Sequence, residues 1–325
     1  MRKTMKASLL VAVLSLPIAA WALEPEAQAA KDEGMRLWGI SEWIEMQPYL
    51  EPAAEAGDVE AMYYLGEATR LLDRGLSLRA MAWYLQAAEQ GDPYAMLRLF
   101  QGGACTAGDR CPEGFEDWHH AALAITQPQA EAGDPDAMLA MYHIQRMFEA
   151  SRQAGNWLER AAEAGQPEAQ TLLGNQILDG RGWYLTNGRR LSAAEEWFRK
   201  AAEQEYVPGM VKLSEVLSNQ ERYEEAWPWT RHASRAGHLD SRLWEAFCSL
   251  DPEYDPICLV DQDIEKGWGL ALSVIEETSN DTARWVLEEN NDLLVDRRRR
   301  GAEQVAEEWI GREPPLSNFP PRFGY

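Results

Sequence analysis

One feature constrains this chain more than any other: a helix-compatible stretch ends in a glycine, and a second such stretch starts at once, repeatedly. Residues 77–95, Ser-Leu-Arg-Ala-Met-Ala-Trp-Tyr-Leu-Gln-Ala-Ala-Glu-Gln-Gly-Asp-Pro-Tyr-Ala, carry the pattern clearly. The junction glycine falls at Gly57, Gly91, Gly133, Gly165 and Gly237, with Glu205 in the fifth place, at intervals of 34, 42, 32, 40 and 32 residues. Recurrence on this scale marks stacked repeats, units that bury their apolar faces only against their neighbours. Glycine suits the junction because helices often terminate on a left-handed residue, which costs glycine almost nothing. Glu205 therefore predicts a junction that turns differently or carries strain.

Fixed offsets from the junction carry the rest of the pattern. Four residues on stand Ala61, Ala95, Ala137, Ala169, Gly209 and Ser241, small enough for two helices to approach closely. Four further on come Leu65, Leu99, Met141, Leu173 and Leu213 on the same helix face, whereas the sixth unit has Glu245. Eight residues before the junction lie Tyr49, Trp83, Ile125, Trp157, Trp197 and Trp229, followed one turn later by Ala53, Ala87, Ala161, Ala201 and Ala233. A large side chain one turn from a small one lets helices interlock, so this stripe is expected to be core.

Ala-Met-Tyr-Tyr-Leu-Gly at 61–66, leading to Ala-Trp-Tyr-Leu-Gln-Ala-Ala-Glu-Gln-Gly-Asp at 82–92, resembles a Sel-one-like repeat, a relative of the tetratricopeptide repeat. Residues 169–174 with 195–204 form a second good copy, and the resemblance covers about residues 41–277. It implies an all-α fold: antiparallel helix pairs stacked into a right-handed superhelical solenoid with a concave binding surface. It implies nothing about catalysis. In such units the first helix of each pair lines the concave face. Positions two and five residues after the anchoring apolar residue then point inward, which gives Glu67, Arg70, His143, Arg146, Asn175 and Glu215 as candidate partner contacts.

Arg2, Lys3 and Lys6 precede an apolar run from Ala7 to Ala20, and Ala20-Trp21-Ala22 supplies a small-residue cleavage site. Residues 1–22 read as a secretory signal peptide cut between Ala22 and Leu23, which places the mature chain in the periplasm. No later stretch approaches the ~18 apolar residues of a membrane span. Loss of the three basic residues takes the formal charge from −22 to −25. Such a charge disfavours nucleic acid and anionic membrane as partners and favours fast, salt-sensitive association with a basic protein surface. Apolar content of 46% with 14 tryptophans still demands a packed core. The expected divisions are an N-terminal cap with a partial repeat at 23–56, repeats at 57–277, capping helices at 278–311 and an extended Pro-rich tail at 312–325. The tail either packs across the last helices or serves as a ligand segment.

Cys105 and Cys111 sit in an insertion from Gln101 to Gly114, and Cys248 and Cys258 flank a Pro-containing loop. Four cysteines permit three pairings; sequence proximity and export favour 105–111 and 248–258 over a zinc site, for which the spacing is uncommon. A second insertion, Asp179 to Arg190, exposes Trp183 and Tyr184 as candidate contacts. The five histidines form no familiar ligand spacing, and no nucleophile–base motif is present. The chain is therefore expected to be a binding protein without catalytic, cofactor or metal residues. It resembles Sel-one-like immunity proteins encoded beside type VI secreted phospholipases, which implies blocking of a secreted antibacterial effector. The alternative is a periplasmic scaffold or regulator of an envelope assembly or signalling system, a role that other exported members of the repeat family imply.

Overall fold

A computed structural model describes residues 23–108 and 110–324; the expected signal segment, residues 1–22, lies outside them. The chain begins with α1 (Pro25–Gly39) and α2 (Gln47–Glu55). Six helix pairs follow: α3 (Val59–Leu72) with α4 (Leu78–Glu89), and α5 (Pro93–Gln101) with α7 (Trp118–Glu131), the short α6 (Ala104–Gly108) lying between. Next come α8 (Pro135–Met147) with α9 (Ser151–Glu163), α10 (Pro167–Leu178) with α11 (Asn187–Ala202), and α12 (Val207–Ser218) with α13 (Tyr223–Arg235). The last pair, α14 (Leu239–Leu250) with α15 (Ile264–Thr278), is followed by α16 (Asp281–Glu289) and α17 (Asp296–Trp309). Successive helices pack against each other, α17 returns onto α15, and no strand occurs among the described residues. The fold is an all-α solenoid of stacked antiparallel helix pairs. No described helix is long and apolar enough to cross a membrane.

The junctions explain the repeat signature residue by residue. Gly57 has φ +95°, and the next backbone N–H, of Asp58, reaches back to the carbonyl of Ala53 at 2.9 Å, closing a Schellman turn. The Asp58 side chain then accepts the Ala61 N–H at 2.8 Å and caps α3. Asp92, Asp134, Gln166 and His238 cap their helices at the same offset. Glu205 does not turn differently: its φ of +60° keeps the left-handed turn, and Tyr206 N–H still bonds to Ala201. That junction carries the backbone penalty of a side chain in this region, and Tyr206 supplies no cap.

The anchoring positions Leu65, Leu99, Met141, Leu173 and Leu213 are all buried. Glu245 takes the sixth place with 1% exposure, neutralised by Lys266 Nζ at 2.7 Å and Arg231 Nε at 3.4 Å. The expected aromatic core stripe is corrected by one residue. Trp83, Trp157, Trp197 and Trp229 are only half-buried, and Tyr49 and Ile125 are exposed. The core position is the next one along, Leu50, Tyr84, Leu158 and Phe198, each 0% exposed. Helical geometry is the reason: alanines four and three residues before the junction are both buried, and the position seven before stacks on both, whereas eight before meets only the first and falls towards the edge of the buried face. The tryptophans instead pack at the edge of the core, two of them under a basic side chain of their own helix: Arg160 over Trp157 and Lys200 over Trp197, each 3.9 Å from the ring centre. Tyr84 and Phe198 seat against Gly66 and Gly174, where a Cβ would lie 2.6 and 2.5 Å from the facing ring.

The Pro-rich tail starts on one of the two courses expected for it, across the last helices, and then goes further. Beyond α17 it turns into the superhelix and travels back to its first half. Ser317 pairs through its backbone with Gly237 and Leu239, at 2.9 and 3.1 Å, and Asn318 N–H donates to the Gly39 carbonyl at 2.7 Å. The hydroxyl of Tyr63 on α3 donates to the Arg322 carbonyl. Leu316 is buried with Leu239, Leu243, Val274 and Ala283, and Phe323 belongs to the main core. The tail thus touches α1, α3, α5, α8, α14, α15 and α16 and ties the last helices to the first. Gly237 illustrates the fit, because a Cβ there would collide with the Pro315 carbonyl.

Candidate functional site

First helices of successive pairs lie side by side, α3 with α5, α5 with α8 and α10 with α12. On the first of them the expected partner contacts are engaged internally. Glu67, 1% exposed, accepts hydrogen bonds from Tyr84 Oη at 2.6 Å, Arg98 Nε at 2.6 Å and Nη2 at 3.0 Å, and Arg70 Nη2 at 2.8 Å. Four hydrogen bonds from three side chains satisfy the buried carboxylate and leave no capacity for a partner, so Glu67 is a structural centre, with Arg70 as its ligand. Burial and the adjacent Glu67 push the Tyr84 hydroxyl well above its usual range, which keeps it a donor.

Phe323 of the tail covers this network. Its ring lies 4.4 Å below the Arg98 guanidinium and packs on Tyr94 at 5.6 Å and on His143 at 5.1 Å. His143 is accordingly buried, in contrast to its expected role as a contact. Burial first, with Arg146 and Arg98 adding repulsion, pushes its pKa down to about 3. Arg146 is exposed, its guanidinium 5.5 Å over the Tyr142 ring, and lines a cavity of about 260 Å³ beside Phe323. Asn175 on α10 is half-buried.

Arg322 is the tail's second anchor, and nothing in the repeat pattern singled it out. Its guanidinium pairs with Asp92 and lies over the rings of Tyr63 at 5.3 Å and Tyr94 at 4.9 Å. Asp92 looks like one more helix cap in sequence, but its second carboxylate oxygen serves the tail. Glu168, half-buried at the start of α10, senses the same charge: burial pushes its pKa up to about 7, with Arg322 partly opposing the rise.

A separate cleft lies beside α12 and α14. Glu215 is exposed, held by Lys212 at 2.7 Å, and lines this cleft of about 550 Å³ with Asn219, His238, Asp240, Trp244 and Asp255. Two disulfides tie loops: Cys248 bonds to Cys258 between α14 and α15, at this cleft, and Cys105 bonds to Cys111 between α5 and α7. In the other insertion Arg181 reaches Gly155 O at 3.2 Å, Glu159 at 2.6 Å and Gln176 at 2.6 Å, which pins the loop. Trp183 stands 81% exposed there, while Tyr184 is half-buried with Arg190 6.0 Å over its ring. Neither residue lines the cleft that holds Glu215. No cluster of three metal-ligating side chains occurs among the described residues.

No family model matches the sequence, and comparison with curated proteins yields no match. Solved structures do. The chain is similar to Sel1-repeat proteins. A protective antigen of uropathogenic Escherichia coli with an SLR fold is 20% identical, with a TM-score of 0.48 over 88% of this chain and 61% of that one. This chain thus spans about three-fifths of that antigen's length. A Sel1 repeat protein from Oxalobacter formigenes is 18% identical, TM-score 0.41, over 78% of this chain and 98% of that one. Immunity protein Pa5087 from Pseudomonas aeruginosa is 18% identical, TM-score 0.40, over 81% and 88% respectively. The architecture of this chain rests on the helix order and packing described above.

Proposed function

We propose that the mature chain is a periplasmic, non-enzymatic immunity protein that binds one secreted antibacterial effector, a type VI phospholipase in the most specific form of the reading, and blocks it. The carrying observation is the cleft beside α12 and α14. Glu215, Asp240 and Asp255 line it, the last on a loop that a disulfide ties down. A preformed acidic cleft suits a basic surface and loses little freedom on binding. The formal charge of the chain would speed the encounter and make it sensitive to salt. Two disulfides suit an oxidising compartment such as the periplasm. Partner contacts are assigned to Glu215, Arg146, Asn175 and the exposed Trp183, with Tyr184 beside it.

A competition experiment tests this. A strain lacking the gene should be outcompeted by its parent on a surface, and the defect should vanish when the parent's effector secretion is disabled. A deletion strain that competes equally against secreting and non-secreting parents would refute the immunity reading.

A further inference from the structure

Next to the open cleft, α14 and α16 enclose a second cavity of about 500 Å³ whose walls are aromatic. Trp244 and Phe247, three residues apart on α14, lie with ring centres 5.6 Å apart and planes at 21°. Tyr254 stands edge-on to Phe247 at 4.7 Å and 86°, carried by the loop that the Cys248–Cys258 bond ties to α14. Trp285 on α16 forms the facing wall. Tyr254 is 64% exposed and Trp285 52%, so water meets aromatic surface that the fold leaves uncovered.

Around this box stand Asp240, Asp251 and Glu289, all exposed. None of the three is in an ion pair among the described residues. Two half-buried tryptophans of the repeats offer an internal comparison. Trp157 and Trp197 carry the chain's own Arg160 and Lys200 over their faces, whereas no described cation lies over any of the four rings here.

We infer that this box is a receptor for one basic side chain of a bound protein, arginine in preference to lysine. Aromatic faces attract a cation through their quadrupole, and tryptophan does so best. The planar guanidinium stacks between rings while its edge donates to carboxylates, which a compact ammonium does less well. Three unpaired carboxylates at the mouth supply the complementary charge. The inference deepens the proposed partner reading by naming a contact, but its test needs no partner, so either can fail alone.

The probe is a capped Gly-Arg-Gly tripeptide titrated into the full mature protein, followed by tryptophan indole NMR signals and calorimetry. Gly-Ala-Gly and tetramethylammonium are the comparisons. Saturable binding of the arginine peptide in the millimolar range is expected, with none for the alanine peptide. Trp285→Ala should weaken it by roughly threefold to tenfold, and Asp251→Asn with Glu289→Gln by a similar factor. Because these side chains are half-exposed or exposed, thermal melting of each variant should stay at the parent value. Absence of saturable binding would overturn the inference, as would undiminished binding to the Trp285→Ala protein. Binding of tetramethylammonium without binding of the arginine peptide would also overturn it and assign the box to a quaternary ammonium.

Discussion

Replacing Arg322 with alanine tests whether the tail is an integral part of the solenoid. The two oxygens of Asp92 have separate tasks: one accepts the Ala95 N–H at 2.7 Å, and the other holds Arg322. Losing the guanidinium strands a carboxylate oxygen whose side chain is 4% exposed, a cost of about 1–3 kcal/mol. The contacts with Tyr63 and Tyr94 add about 0.5–1 kcal/mol each. Arg322 is itself 37% exposed, so screening trims the total to about 2–3 kcal/mol. Asp92→Asn retains the cap acceptor and removes the charge. Urea unfolding, followed by tryptophan fluorescence on the parent, both single variants and the double variant, isolates their coupling, expected at about 1–2 kcal/mol. Additivity within about 0.5 kcal/mol would refute the claim that the tail is anchored through this pair.

Other outcomes follow from single residues. Glu168 has a folded pKa near 7 against an ordinary 4.5, so the fold favours its neutral form. That contribution is complete below about pH 4.5 and is lost as pH rises through 7; Glu168→Gln should flatten the stability profile across this window and add about 1–2 kcal/mol above it, measured by urea midpoints against pH. Glu205→Gly relieves a left-handed side-chain residue and should stabilise by about 0.5–1 kcal/mol after losing an exposed pair with His232; a lower melting temperature would contradict the strain assigned there. Gly66→Ala drives a methyl into the Tyr84 ring and should destabilise by about 1–3 kcal/mol, read as an earlier unfolding midpoint.

The repeat was legible because its signature residues each answer a local requirement. Glycine supplies the left-handed turn, the following residue caps the next helix, and small residues admit a neighbouring helix. The Trp stripe was legible as part of the pattern but not as surface, since its position differs from the buried one by a single residue. Glu67 shows the limit of carrying a concave face over from related repeats. Its position two residues after Leu65 gave no sign of burial, because Tyr84, Arg70 and Arg98 come from three helices, and no sequence offset announces that they converge. The path of the tail was illegible for a similar reason. Prolines exclude a helix there, but its docking depends on how far the superhelix curls, which brings Gly39 and Gly237 to the same segment. Once that closure is known, the Arg-Phe pair at 322 and 323 becomes interpretable: the cation meets the capping Asp92, and the ring meets Arg98.

The most direct test of the proposed function is affinity capture of the tagged mature protein from periplasm at low ionic strength, with the activity of the bound protein measured before and after release. One stoichiometric secreted hydrolase that is silent in the complex and active when freed is the predicted result. Recovery of native envelope-assembly components, or of a hydrolase that remains active while bound, would contradict it.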